Sequence, residues 1–192
     1  MVTGVKVMRY HDIKKDDMLN GEGLRCVLFV SGCNHGCKGC QNKCTWDPNS
    51  GIPFDDSAKQ EIFEQLNMDY IHGLTLCGGD PLYHSNISPI TDLVREIKSL
   101  YPNKTVWMYT GDLWEDVRHY PVMKLIDVLI DGPFVEELKD EKYPWAGSTN
   151  QRVIDVQKSL NSVKPVLYET EKIKDAEYEY DKNLTKCISC SA

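Results

Sequence analysis

No stretch of this 192-residue chain approaches the roughly 20 consecutive apolar residues of a membrane-spanning helix. Positive charge is also short: 22 Lys and Arg stand against 29 Asp and Glu, a net charge of −7. Phosphate backbones are held by basic surfaces, so neither a nucleic-acid partner nor a membrane is expected. Met1 to Tyr10 contains no apolar run long enough for a secretory signal, and the expected location is the cytoplasm. No internal repeat is visible. The length fits one domain with a tail.

Cysteine is present, and it is unevenly placed. Eight occur, at Cys26, Cys33, Cys37, Cys40, Cys44, Cys77, Cys187 and Cys190, and five of them fall between positions 26 and 44. A disulfide framework would spread them more; clustering in a cytosolic chain points to metal. Cys33, Cys37 and Cys40 form a Cys-x3-Cys-x2-Cys loop, dense enough to surround one polynuclear iron–sulfur centre. Three ligands leave one iron of a cubane open, and an open iron can bind and activate a small molecule. Two alternatives stand beside this. Cys44 could close the cube and make an electron carrier, although no Pro follows it as in the bacterial ferredoxin run. Zinc could take the loop together with the Cys187–Cys190 pair.

The pattern around the loop is that of an α/β protein. Arg25–Ser31, Gly73–Cys77, Lys104–Tyr109 and Asp127–Ile130 read as short buried strands, and Val163–Leu167 as a last one. Asp55-Asp56-Ser57 opens a helix that runs to about Leu66. Further helices are expected over Ser88–Leu100, over Leu113–Tyr120 and near Met123. The alternation suggests parallel βα units. The unusual residues follow the strands: the cysteines, Gly78-Gly79-Asp80-Pro81, Thr110-Gly111 and Asp131-Gly132-Pro133. Ligands bind beyond the C-terminal ends of such strands, so these loops should converge on one site. There are too few units for an eight-fold barrel, and a partial, open one is expected. Paired glycines after a buried strand allow close backbone approach to a ligand, although a plain turn uses them too. Beyond Glu169 the chain alternates charges and reads as a solvated helix or tail.

Cys-x3-Cys-x2-Cys after a strand, followed by a Gly-Gly-Asp-Pro strand end, resembles the radical S-adenosylmethionine superfamily. Asn20-Gly-Glu-Gly-Leu-Arg25, Cys26–Cys33, Gly39-Cys-Gln-Asn-Lys43, Trp107–Gly111, Asp127–Phe134 and Gly147–Arg152 narrow the resemblance to the anaerobic ribonucleotide reductase activating proteins. It runs in order to about Leu167. Gly39 and Gln41 depart from the aromatic residues common in the wider superfamily. Cys44 and Cys77 stand where Ser is familiar, so neither is expected as an obligatory ligand.

The resemblance implies a partial, open (β/α) barrel of the radical S-adenosylmethionine type over residues 1–168, with a charged extension over 169–192 that ends in Cys-x2-Cys. It implies that Cys33, Cys37 and Cys40 hold a [4Fe–4S] cluster whose fourth iron chelates S-adenosylmethionine. Gly39, Cys40, Gln41, Gly78, Gly79 and Asp80 are the implied cofactor contacts. An external one-electron donor such as a flavodoxin would drive cleavage to a 5′-deoxyadenosyl radical. That radical would take hydrogen from a glycine of the reductase's large catalytic subunit. Another glycyl-radical enzyme as target, a four-Cys electron-transfer module and a zinc-stabilised interaction domain are the alternatives.

Other residues take plainer readings. His35 is expected to face solvent. Trp46, Trp107, Trp114 and Trp145 are expected in the core or an interface, and Cys26 in the core. Asn150, Gln151 and Arg152 could face the cofactor or the partner, or simply form a turn. Cys187 and Cys190 could be a redox dithiol, half a zinc site, or inert.

Overall fold

The computed structural model describes residues 7–169. The expectations for the charged tail and for Cys187 and Cys190 lie outside the described residues. In chain order the elements are β1 (Arg9–Asp17), β2 (Arg25–Val30), β3 (Ile52–Pro53), α1 (Asp56–Leu66), β4 (Gly73–Gly78) and α2 (Ile87–Leu100). Then come β5 (Thr105–Tyr109), α3 (Trp114–Val117), β6 (Val128–Asp131), β7 (Arg152–Asp155), α4 (Val156–Leu160) and β8 (Val166–Leu167).

The strands form one mixed sheet ordered β3-β1-β2-β4-β5-β6-β7-β8. The parallel arrangement expected from the sequence holds for β2, β4, β5 and β6. On both flanks the strands run antiparallel: β1 and β3 on one side, β7 and β8 on the other. Among the described residues the two terminal strands each pair on one side only, and the sheet does not close.

Period-2 alternation sorts the strand residues onto two faces. Leu28, Leu76, Met108, Leu129 and Ile154 are register partners in one row across five strands, and all five are fully buried. The apolar stripes of α1 (Ile62, Leu66) and α2 (Ile90, Leu93, Val94, Ile97) belong to the same core cluster. Each such side chain stabilises the fold by roughly 1.5–3 kcal/mol. Asp55 starts α1 by accepting from the Ala58 amide at 3.0 Å, an N-cap that satisfies an otherwise orphaned donor.

The other face of the sheet carries a smaller cluster of Trp107, Val128, Ile130, Trp145 and Val153. Trp107 meets Trp145 edge-on, with ring centroids 5.0 Å apart. Trp107, Trp114 and Trp145 are buried as expected, and so is Cys26. The helix expected over Leu113–Tyr120 is only the single turn α3. Pro121 follows, and Tyr120 is extended at ψ 140°, the conformation a following proline imposes.

The N-terminal end of the parallel strands is plugged by a charge. Arg25 is 1% exposed and donates to Thr75 Oγ1, Thr105 Oγ1 and the carbonyls of Glu22, Leu74 and Thr105. Burial pulls its pKa down to about 10, which still leaves it charged at neutral pH.

Candidate functional site

The loops that leave β2, β4, β5 and β6 meet around a cleft of about 910 Å³ that extends from the C-terminal ends of those strands to Lys14, Met18, Leu19 and Asn20. Cys33, Cys37 and Cys40 all line it, and all three are half-buried free thiols. Gly36 (φ +62°) and Gly39 (φ +71°) lie between them in the left-handed region, which lets the loop curl on itself at little cost. The loop is closed where Gly32 donates to the Thr45 carbonyl at 2.7 Å and Cys33 to the Trp46 carbonyl at 3.1 Å. Burial pushes the Cys33 thiol up to about 11, although its sulfur accepts the His35 amide. A metal must therefore displace that proton on binding.

Cys44 sits on a 3₁₀ turn over Lys43–Thr45. It is exposed and not part of the cleft lining. Cys77 is buried on the cleft floor, and burial raises its thiol pKa strongly. The donor set of the cleft is thus three accessible thiols on one loop. Among the described residues, the group of three potential ligand atoms lying within 4.8 Å of one another is His35, Asp80 and Asp112, not the three thiols. Zn–S bonds of about 2.3 Å would need sulfurs closer than that, whereas a cubane spreads its thiolates over separate irons. The thiol set fits a cluster better than a single ion.

Backbone bonds hold the Gly78–Pro81 turn against the end of β2 and the start of the cysteine loop. Gly79 donates to the Val30 carbonyl at 2.8 Å and Asp80 to the Gly32 carbonyl at 2.7 Å. Gly78 has φ +102°. A Cβ on Gly79 would lie 2.5 Å from the Gly32 oxygen. Both glycines are therefore required by the close approach of β2 and β4 at their ends. Gly78, Gly79, Cys40 and Gln41 line the cleft. Gly39 packs against the Glu136 side chain. Asp80 is 2% exposed, and its carboxylate accepts from Leu82, Thr110 and Gly111 and bonds His35.

Residues 19–154 match the family described as a 4Fe-4S single cluster domain, which is more than half of the chain. The anaerobic ribonucleoside-triphosphate reductase-activating protein of Salmonella typhi is 46% identical over 150 residues, covering 76% of this chain and 97% of that protein. The protein of the same name from Escherichia coli strain K12 is 45% identical over 150 residues, with the same coverage. That from Enterobacteria phage T4 is 43% identical over 146 residues, covering 76% of this chain and 93% of its own. The chain belongs to the anaerobic ribonucleoside-triphosphate reductase-activating protein family.

In this family member, one expectation from the sequence needs revision, and one reading left open by it is narrowed. His35 does not simply face solvent: its Nε2 lies 2.6 Å from Asp80 Oδ2, and that bond raises the imidazole pKa. Asn150, Gln151 and Arg152 are tied into the fold. Asn150 donates to the Pro133 carbonyl and Gln151 to the Gly132 carbonyl. Gln151 Oε1 accepts from the Gly147 and Ser148 amides, and Arg152 grips Asp131 and Glu115. Of the three only Gln151 also reaches the cleft.

Sequence reading missed three contributors to the cleft. Phe29 and Tyr109 line it from β2 and β5; alternation along those strands, extended from Val27 and Trp107, marks them. Tyr109 donates its hydroxyl to the Trp145 carbonyl at 2.6 Å, and burial raises its pKa. A wall over Lys139–Ala146 has no periodicity that would reveal it. Lys38 on the cysteine loop reaches toward this wall and pairs with Glu136 and Glu137 at 3.0 and 3.1 Å. No helix among the described residues is long and apolar enough to cross a membrane.

Proposed function

We propose that this protein activates an anaerobic ribonucleotide reductase by generating a radical at a [4Fe–4S] cluster that binds S-adenosylmethionine. The observation that carries the reading is that Cys33, Cys37 and Cys40 share one cleft with the Gly78–Gly79 turn, while Cys44 stands outside it. On this reading the open sheet is a partial (β/α) barrel of the radical S-adenosylmethionine type, built by residues 1–168.

Cys33, Cys37 and Cys40 would hold the cluster as thiolates. Bound there, cluster and S-adenosylmethionine would supply the chemistry: one electron enters, a sulfonium bond breaks, and hydrogen is taken from a glycine of the reductase's large catalytic subunit. The chain's own residues bind, orient and exclude. The Gly78–Gly79 turn has no side chains in the way and offers carbonyl acceptors to an ammonium group. The Gly39-Cys40-Gln41 backbone flanks the third thiol. Asp80 shapes the turn from beneath. Phe29 and Tyr109 give the floor an apolar surface that keeps water off a reactive carbon. An external one-electron donor such as a flavodoxin, and a cytoplasmic setting, complete the proposal.

The test is anaerobic reconstitution and reduction, followed by electron paramagnetic resonance with and without S-adenosylmethionine. The expected result is a cluster signal that shifts on addition, formation of 5′-deoxyadenosine, and a glycyl radical signal when the reductase subunit is present. A signal that ignores S-adenosylmethionine, with no 5′-deoxyadenosine formed, would overturn it.

A further inference from the structure

Asp80 collects hydrogen bonds from three loops. Its Oδ1 accepts from the Leu82 amide at 2.7 Å, within its own turn. Its Oδ2 accepts from Thr110 Oγ1 at 2.9 Å and from the Gly111 amide at 3.1 Å, both at the end of β5. The same oxygen lies 2.6 Å from His35 Nε2, on the cysteine loop. Facing an acceptor-only carboxylate, that ring nitrogen is the donor. The Asp80 side chain is 3% exposed and the imidazole 23%. A buried carboxylate satisfied in this way is held far more tightly than any one of its bonds would hold it.

The imidazole also lies flat on the end of β5. A Cβ at Gly111 would sit 2.5 Å from His35 Cδ2, so the strand must be bare there for the ring to reach Asp80. His35 is two residues beyond Cys33 and two before Cys37. Its bond is the side-chain tie from the cysteine loop to the glycine turn, 45 residues away.

We propose that His35 is a positioning residue. Through Asp80 it locks the cysteine loop to the Gly78–Pro81 turn, so the thiols and the carbonyls of the turn keep one fixed spacing. The inference rests on the proposed function, because that spacing matters only to a ligand spanning both loops. S-adenosylmethionine, chelating an iron while its ammonium group meets the turn, is such a ligand. The thiols alone suffice for a cluster. Loss of the tie should therefore weaken the spanning ligand and spare the cluster.

The experiment uses the full chain with His35→Phe, His35→Gln and Thr110→Val. Three quantities are read: iron and sulfide per chain, the S-adenosylmethionine dissociation constant from titration of the reduced-cluster signal, and the thermal midpoint of the iron-free protein. His35→Phe should keep its iron and bind S-adenosylmethionine more weakly, on the order of tenfold. His35→Gln, which keeps a donor, should recover most of that loss. Thr110→Val removes a bond to the same oxygen from the β5 side and should weaken binding in the same direction, by less.

Wild-type protein with no S-adenosylmethionine-dependent signal would end the proposed function, whatever the variants do. A normal wild-type shift, with His35→Phe and Thr110→Val binding as tightly as wild type, would overturn the positioning role alone. So would a drop in thermal midpoint with unchanged dissociation constants, the mark of a merely structural bond. Should His35→Phe fail to load iron, Thr110→Val decides: an unchanged dissociation constant overturns the role, a raised one upholds it.

Discussion

The Asp80 amide donates to the Gly32 carbonyl at 2.7 Å, so the glycine turn is fastened to the residue just before the first thiol of the loop. The approach leaves no room at Gly79, where a Cβ would stand 2.5 Å from the Gly32 oxygen and 3.0 Å from its carbon and nitrogen. Backbone on both sides cannot yield as a side chain can. Gly79→Ala should destabilise the iron-free protein by about 1–3 kcal/mol, read by chemical denaturation. A variant as stable as wild type would show that the two loops part easily.

Cys44→Ser should leave the iron content and visible absorption of the reconstituted protein unchanged, because Cys44 is exposed and off the cleft. Serine at Cys33, Cys37 or Cys40 should abolish the cluster in each case. Loss of iron in Cys44→Ser would revive the four-thiolate electron carrier.

Arg25→Met should cost roughly 3 kcal/mol or more, since several buried acceptors lose their donor together. Arg25→Lys should rescue little, because a single ammonium cannot span acceptors that belong to β4, β5 and the Glu22 loop. Urea unfolding of the two variants checks both statements. The three thiols lie beyond the opposite end of β2, so whatever variant protein folds should still take up iron.

Glu115 accepts from Arg152 at 3.1 and 2.8 Å, and that bond lowers its pKa below the usual 4.5. A carboxylate depressed in the folded state adds stability that is present above its unfolded pKa. That stability is lost as pH falls through the folded value. The difference in thermal midpoint between wild type and Glu115→Gln should therefore be present at neutral pH and vanish as pH drops below about 4.5. Glu115 is half exposed, so the difference should also shrink in high salt. A difference that persists at low pH would place its origin elsewhere.

The parts of the fold that were legible are those buried on both faces. Residues 25–30, 73–77 and 128–130 are near-continuous apolar runs, as central parallel strands must be. The flanking strands were not legible. β1 reads Arg-Tyr-His-Asp-Ile-Lys-Lys-Asp-Asp, with only Tyr10, Ile13 and Asp17 buried, and its pairing with β2 is broken by two register shifts. Such a strand carries the charges of a surface loop. β7 was hidden behind Asn150-Gln151-Arg152, which looks like a polar turn until Arg152 is seen to pair with Asp131 on the neighbouring strand.

The site divides in the same way. The three thiols and the paired glycines could be found because their spacing is local. The bond between His35 and Asp80 spans 45 residues, and nothing in either neighbourhood announces it. Phe29, Cys77 and Tyr109 were placed in strands, but which face they take depends on register. The expectation for His35 failed because a lone histidine is judged by its surroundings, and those are set by strand order.

Among the described residues the sheet ends in β3 on one side and β8 on the other, each with a partner on one edge only. A closed ring would force any peptide to enter the cleft from above, as a hairpin pushed through the rim. A sheet with a gap in its wall sets a gentler geometry. On the proposed function, it would let a segment in the middle of another folded chain be laid in from the side, with both of its ends still attached, and withdrawn the same way once altered.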